Sequence, residues 1–212
     1  MTNPRTIEEA YASAANTADL RVQADQVGDA DLLIAAGWCQ SRLGGALLRL
    51  HSEWDATSRP RTATAAEFLR PGAQASPAER TAARAEATAQ AHAHNLHETA
   101  LQLARCKSLP AVREQVVLLV RGWGAEAPDR AVAAILRWWL GPTCPGCSGR
   151  RYEPIAGTDR LSAKACRQCK GTGHAPIPQG ELGRRLANYL DECVHSARGS
   201  MGKRLHRGRG SV

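Results

Sequence analysis

From residue 29 to about residue 54, apolar side chains at Ala36, Cys39, Leu43, Ala46 and Leu50 follow a 3,4 spacing that places them on one face of a long helix. Leu47 and Trp54 widen that face, and Asp29 or Asp31 can cap its start. Gly44-Gly45 interrupts the helix at about 1 kcal/mol per glycine relative to alanine, which implies that something packs close to the backbone there. A second long helix starts at Ser76-Pro77-Ala78-Glu79, which combines a serine cap, proline at the first helical position and a glutamate that completes a capping box. It is expected to reach about Lys107, with Ala82, Ala85, Ala89, His92, Leu96, Thr99, Leu103 and Cys106 on an unbroken 3,4 seam. Small residues on that seam predict a close partner, either the first long helix in an αα-hairpin or a second copy of the chain in a homodimer.

Shorter helical patterns cover residues 7–15, 110–122, 128–140 and 181–197, and residues 55–76 read as a connection with at most a turn of helix near residues 65–69. The pair at 110–122 and 128–140, joined by Trp123-Gly124-Ala125-Glu126-Ala127, has the order of a helix-turn-helix unit with a long linker. Trp138-Trp139 closes the second of them, which predicts an indole packed in the core or against the cysteine-bearing segment beyond Gly141-Pro142. His92, His94 and His97 do not converge, because His92 lies on the seam and the other two on the opposite face.

The fold class expected is mainly α: a helical bundle or long αα-hairpin with an inserted two-knuckle module and a short C-terminal helix. The corresponding divisions are a helical scaffold at 1–107, a helix pair at 108–141, a metal-binding module at 142–178, and a helix with a basic tail at 179–212. The tail from Gly199 reads as disordered when free. No apolar run approaches the ~18 residues of a membrane span; the longest aliphatic run, at residues 116–120, is five residues. With no apolar export segment after Met1, the chain reads as cytoplasmic.

The inserted module is marked by Cys144-Pro-Gly-Cys147-Ser-Gly149 and Cys166-Arg-Gln-Cys169-Lys-Gly171-Thr-Gly173, with 18 residues between the pairs. Four thiolates in two short turns are what a tetrahedral structural Zn²⁺ requires, and glycine after each pair lets backbone N–H groups turn toward the sulfurs. Other uses of these cysteines fit less well. Disulfides need an oxidising compartment, a thioredoxin-like centre uses a single pair at a helix start, and catalytic zinc needs an open position that four thiolates do not leave. Cys39, Cys106 and Cys193 fall within helical patterns as buried small hydrophobes. No nucleophile with its base, paired carboxylates or phosphate loop points to an enzyme; Lys170-Gly171-Thr172-Gly173 does not match a Walker motif.

Charge singles out the same region. The formal net charge is +8, yet residues 1–140 carry 15 Arg/Lys against 15 Asp/Glu, while residues 141–212 carry 13 against 5. Zn²⁺ on four thiolates would add −2, leaving about +6 there. A basic surface concentrated on one module is the footprint of a phosphate-backbone partner. Arginine outnumbers lysine 24 to 4, which suits bidentate contacts, although a GC-rich genome would favour the same choice. Arg150, Arg151, Arg160, Lys164, Arg167 and Lys170 are the candidate nucleic-acid contacts from the module, joined by Arg184 and Arg185 on the following helix.

Cys166-x-x-Cys169-x-Gly171-x-Gly173 is a complete C-x-x-C-x-G-x-G repeat, and Cys144-x-x-Cys147-x-Gly149 is the same repeat with Arg151 in place of the last glycine. This resembles the zinc module of DnaJ-type cochaperones, but the chain lacks their His-Pro-Asp tripeptide and has two repeats where they usually have four. The order of elements, a helical N-terminal part, one pair of repeats and a helical C-terminal part, is similar to phage late-gene antitermination proteins of the lambda Q type. That resemblance covers about residues 110–197 by layout and 144–173 by motif. It implies a regulator that binds DNA near a late promoter and acts on RNA polymerase. The competing expectations are a DnaJ-like protein-binding adaptor or assembly factor, and an RNA-binding protein with zinc knuckles.

Overall fold

The structure, a computed structural model, describes residues 6–18, 20–21, 27–39, 41–57, 62–69, 76–154 and 161–207. It is mainly helical. In chain order the elements are α1 (Ile7–Ala15), α2 (Asp29–Gly37), α3 (Arg42–Ala56), α4 (Ala65–Phe68), α5 (Pro77–Ala104), α6 (Leu109–Gly122), α7 (Pro128–Leu140), β1 (Tyr152–Pro154), β2 (Leu161–Ala165) and α8 (Gly180–Arg207). Contacts divide them into two units. One comprises residues 1–58, 105–140 and 177–212, and the other residues 59–104 and 141–176.

In the first unit α3 and α8 form the main helix pair, α1 and α2 pack on it, and α6 with α7 complete the bundle. The core consists of Leu47 and Leu50 of α3, Val112, Val116 and Val120 of α6, Val132, Ile135 and Leu136 of α7, and Leu186, Leu190 and Met201 of α8, all nearly or fully inaccessible. Polar ties fix the packing. Glu53 accepts from both the N–H and the hydroxyl of Ser108, at 2.8 and 2.7 Å, and the Trp139 indole donates to Asp191 Oδ1 at 2.8 Å with His51 against its ring. Trp139 is therefore a core residue of the bundle.

The expected long helix over 29–54 is two helices. α2 ends at Gly37 with Trp38 as its C-cap, and the Ser41 hydroxyl starts α3 by accepting from Gly44 N at 3.1 Å. The close approach foreseen at Gly44-Gly45 holds for Gly44 alone. A Cβ there would run into the Cys193 carbonyl and lie 2.9 Å from Ala197 Cβ, whereas one on Gly45 would meet nothing within 4 Å. This is where α3 and α8 touch backbone to backbone. The C-terminal helix is long: α8 runs to Arg207, well into the segment read as disordered, and residues 208–212 of that segment lie outside the described residues. Its apolar stripe extends past Val194 to Ala197 and Met201, both fully buried, so tertiary packing extends a helix that composition argues against.

In the second unit α5 pairs with α4, and over its first five positions the expected seam is not the packed face, although Thr99 and Leu103 farther along it are half-buried. Ala82, Ala85, Ala89, His92 and Leu96 are exposed, while Ala87, Ala91 and Gln102 on the other side are buried. Alanine at nearly every turn gives little apolar contrast, so a polar contact sets the facing. The Asn95 amide accepts from Ala63 N and donates to Ala63 O, both at 2.9 Å, and Phe68 packs near His94. The capping box at Ser76 forms as expected, Glu79 Oε2 accepting from Ser76 N at 2.7 Å. Among the described residues, no helix is long and apolar enough to cross a membrane.

Candidate metal centre

Residues 141–176 form a small module whose base is closed by Ala175 N donating to Pro142 O at 2.7 Å, so the chain leaves close to where it entered. Within it β1 pairs antiparallel with β2, Tyr152 opposite Ala165 and Pro154 opposite Leu161, with a bulge between. Residues 155–160, including Arg160, lie outside the described residues.

The two knuckles repeat with an offset of 22 residues. Arg150 N donates to Cys147 O, as Thr172 N does to Cys169 O; Cys144 N donates to Gly173 O, as Cys166 N does to Arg151 O. Thr143 bridges His174 as Ala165 pairs with Tyr152. Each knuckle thus holds the first cysteine of the other by a backbone bond, and the two are related by a local pseudo-two-fold. Both turns use left-handed backbone at the same three places: φ is 48° at Ser148 and 52° at Lys170, 79° at Gly149 and 85° at Gly171, 72° at Arg151 and 81° at Gly173. Glycine takes these angles without strain and fills the second place in both turns and the third in one, while Ser148, Lys170 and Arg151 take them with a side chain.

This geometry brings the four cysteines together. Their sulfurs all lie within 4.8 Å of one another and all four side chains are buried. Cys144 and Cys166 Sγ are 4.0 Å apart and Cys147 and Cys169 Sγ 3.7 Å, against the edge of about 3.8 Å that a tetrahedron with metal–sulfur bonds of about 2.3 Å requires. The donor set can therefore hold a metal ion such as zinc. Among the described residues it is the one cluster of this kind, and the histidines of α5 form none. Gly173 N donates to Cys169 Sγ at 3.3 Å, the arrangement the glycine spacing implied. Burial pushes the Cys144 thiol up to about 11. At Cys169 burial acts in the same sense but is outweighed by the Gly173 N–H, the neighbouring thiols and the Gly171 N–H, which bring it down to about 6. Four sulfurs this close ionise together only around a cation. Of the other cysteines, Cys106 is buried, whereas Cys39 and Cys193 are half-buried, Cys39 because α2 ends before it.

The candidate contact residues divide by what holds them. Arg167 pairs with Glu153 at 3.2 Å and Arg184 with Glu181 on its own helix. The Arg185 guanidinium lies 4.1 Å from the centre of the Trp123 ring, which Tyr189 meets edge-on. Arg150, Arg151, Lys164 and Lys170 are exposed and make no ion pair among the described residues. The sequence did not point to the Trp123–Arg185 stack or to Arg204 over the Trp38 ring; an Arg on one helix facing a Trp from another leaves no local pattern. Comparison with protein-family models, curated proteins and solved structures finds no match for this chain.

Proposed function

We propose that this protein is a zinc-containing, DNA-binding regulator of transcription in which Cys144, Cys147, Cys166 and Cys169 hold one Zn²⁺. The observation that carries the reading is the concentration on the module of cations with no ion pair among the described residues: Arg150, Arg151, Lys164 and Lys170 project from turns and strands fixed around four buried sulfurs. Pinned backbone lowers the ordering entropy lost when such side chains settle on phosphates. The formal charge of residues 141–212, 13 cations against 5 anions, supports the same partner. Action on RNA polymerase as an antiterminator rests on the lambda Q-type order of helices and repeats.

The test is salt. For the metal-loaded chain, the logarithm of the duplex-DNA binding constant should fall linearly with the logarithm of salt concentration, by about 0.9 per phosphate contacted. Binding that is indifferent to salt, together with capture of an unfolded or partly folded protein client, would replace this reading by the adaptor reading. One observation favours that alternative: Tyr152 and Leu161, at 46% and 40% exposure, put apolar surface on the paired strands.

A further inference from the structure

The pseudo-two-fold makes Arg151 the counterpart of Gly173, and we infer that Arg151 is a dedicated phosphate contact, retained at a glycine position for its side chain. This inference rests on the proposed DNA-binding reading and assigns it a residue. Three observations carry it. Arg151 has φ of 72° where its counterpart has 81°, a left-handed conformation that disfavours a side chain, and non-glycine residues kept in this region cluster at functional sites. Its structural duty is met by the backbone alone: its carbonyl accepts from Cys166 N at 2.9 Å, as the Gly173 carbonyl accepts from Cys144 N. Glycine would serve the fold at least as well.

The third observation is the direction of the side chain. A Cβ on Gly173 would lie 3.2 Å from Arg151 Cγ and 2.9 Å from Gly149 O, so the Arg151 stem runs over the bare face of Gly173. The two equivalent positions cannot both carry side chains without movement, and the pair is resolved with arginine on the first knuckle. A stem laid on backbone, with an exposed guanidinium that makes no ion pair among the described residues, is a preorganised anion contact. Cations at the neighbouring positions fall on both knuckles: Arg150 stands where the second has Thr172, and Lys170 where the first has Ser148.

The experiment compares the full metal-loaded chain with Arg151→Gly, using random-sequence duplex DNA over a range of salt. The variant carries the residue its own counterpart already has, so it should keep one zinc per chain and a melting temperature no lower than the parent's. Its affinity should fall about fivefold and its salt slope should shallow by about one unit, the loss of a single phosphate contact. Arg151→Lys, which keeps the charge, should recover most of the slope. Equal affinity and slope for parent and Arg151→Gly would overturn the inference while leaving the DNA reading in place. A parent that shows no salt-dependent duplex binding overturns the DNA reading itself. Loss of zinc or of thermal stability in Arg151→Gly overturns the equivalence of Arg151 and Gly173.

Discussion

The helical unit and the four-cysteine module reach order by opposite routes. In the first, α3 packs on α8 although well over a hundred residues separate them, and leucine and valine side chains from four helices fill one core. In the second, the buried cysteines stand in place of that core, and no other hydrophobic side chain among the described residues of 141–176 is buried. The first region derives its stability from area removed from water and tolerates local change. The second has almost no such area; with the proposed zinc its fold rests on one coordination event, and the two should then separate cleanly under perturbation.

The largest separation is expected on metal removal. Chelation, or Cys166→Ser, should abolish hydrogen-exchange protection over residues 142–175, since metal binding in comparable small modules is worth about 10–16 kcal/mol. Far-ultraviolet helical signal should be retained, because α3, α6, α7 and α8 make their core without the cysteines. Acid should mimic chelation: thiolates bind metal and thiols do not, so affinity falls as pH falls, and zinc release should track loss of protection. Protection that survives complete zinc loss would refute the division.

Its converse is Leu190→Ala. Leu190 is fully buried on α8, and its truncation should destabilise the bundle by about 2–5 kcal/mol, read from denaturant midpoints, with zinc content unchanged.

A finer test lies at the adjoining glycines of α3. Gly44→Ala drives a methyl into the Cys193 carbonyl and against Ala197, and should destabilise by about 1–3 kcal/mol or more. Gly45→Ala meets open space and should stabilise by about 0.5–1 kcal/mol, because alanine is the better helix former. Opposite signs for neighbouring identical substitutions would establish that α8 approaches the backbone on one side of α3 only.

These contrasts also explain what was legible beforehand. Cysteine and glycine spacing determines the module almost locally, since every bond that orients a sulfur comes from within the two repeats; the four-cysteine cluster was therefore readable residue by residue. The helices were readable as helices, but their partners were not. Apolar periodicity shows that a face is buried without naming what covers it: the partners expected for the long helices were each other or a second copy of the chain, and α8, which packs on α3, was not among them. On α5 the facing is set by Asn95, a polar residue that an apolar pattern ignores. The persistence of α8 to Arg207 depends on Ala197 and Met201 reaching the bundle core, and composition in that glycine- and arginine-rich stretch argues the other way.

The smallest expected effect concerns the module's own polar contacts. Glu153 pairs with Arg167 at 3.2 Å, with the arginine side chain 87% exposed and the carboxylate 30%. Exposed pairs of this kind contribute about 0–1 kcal/mol, so Glu153→Gln should leave zinc affinity and hydrogen-exchange protection of the module nearly unchanged. A marked loss of protection would mean that the module draws stability from its surface as well as from its metal, and the contrast with the helical unit would blur. The same variant releases Arg167 and removes a negative charge beside the paired strands. If phosphates are the partner, Glu153→Gln should bind duplex DNA slightly more tightly at low salt, and the gain should vanish as salt rises, because a screened charge no longer attracts.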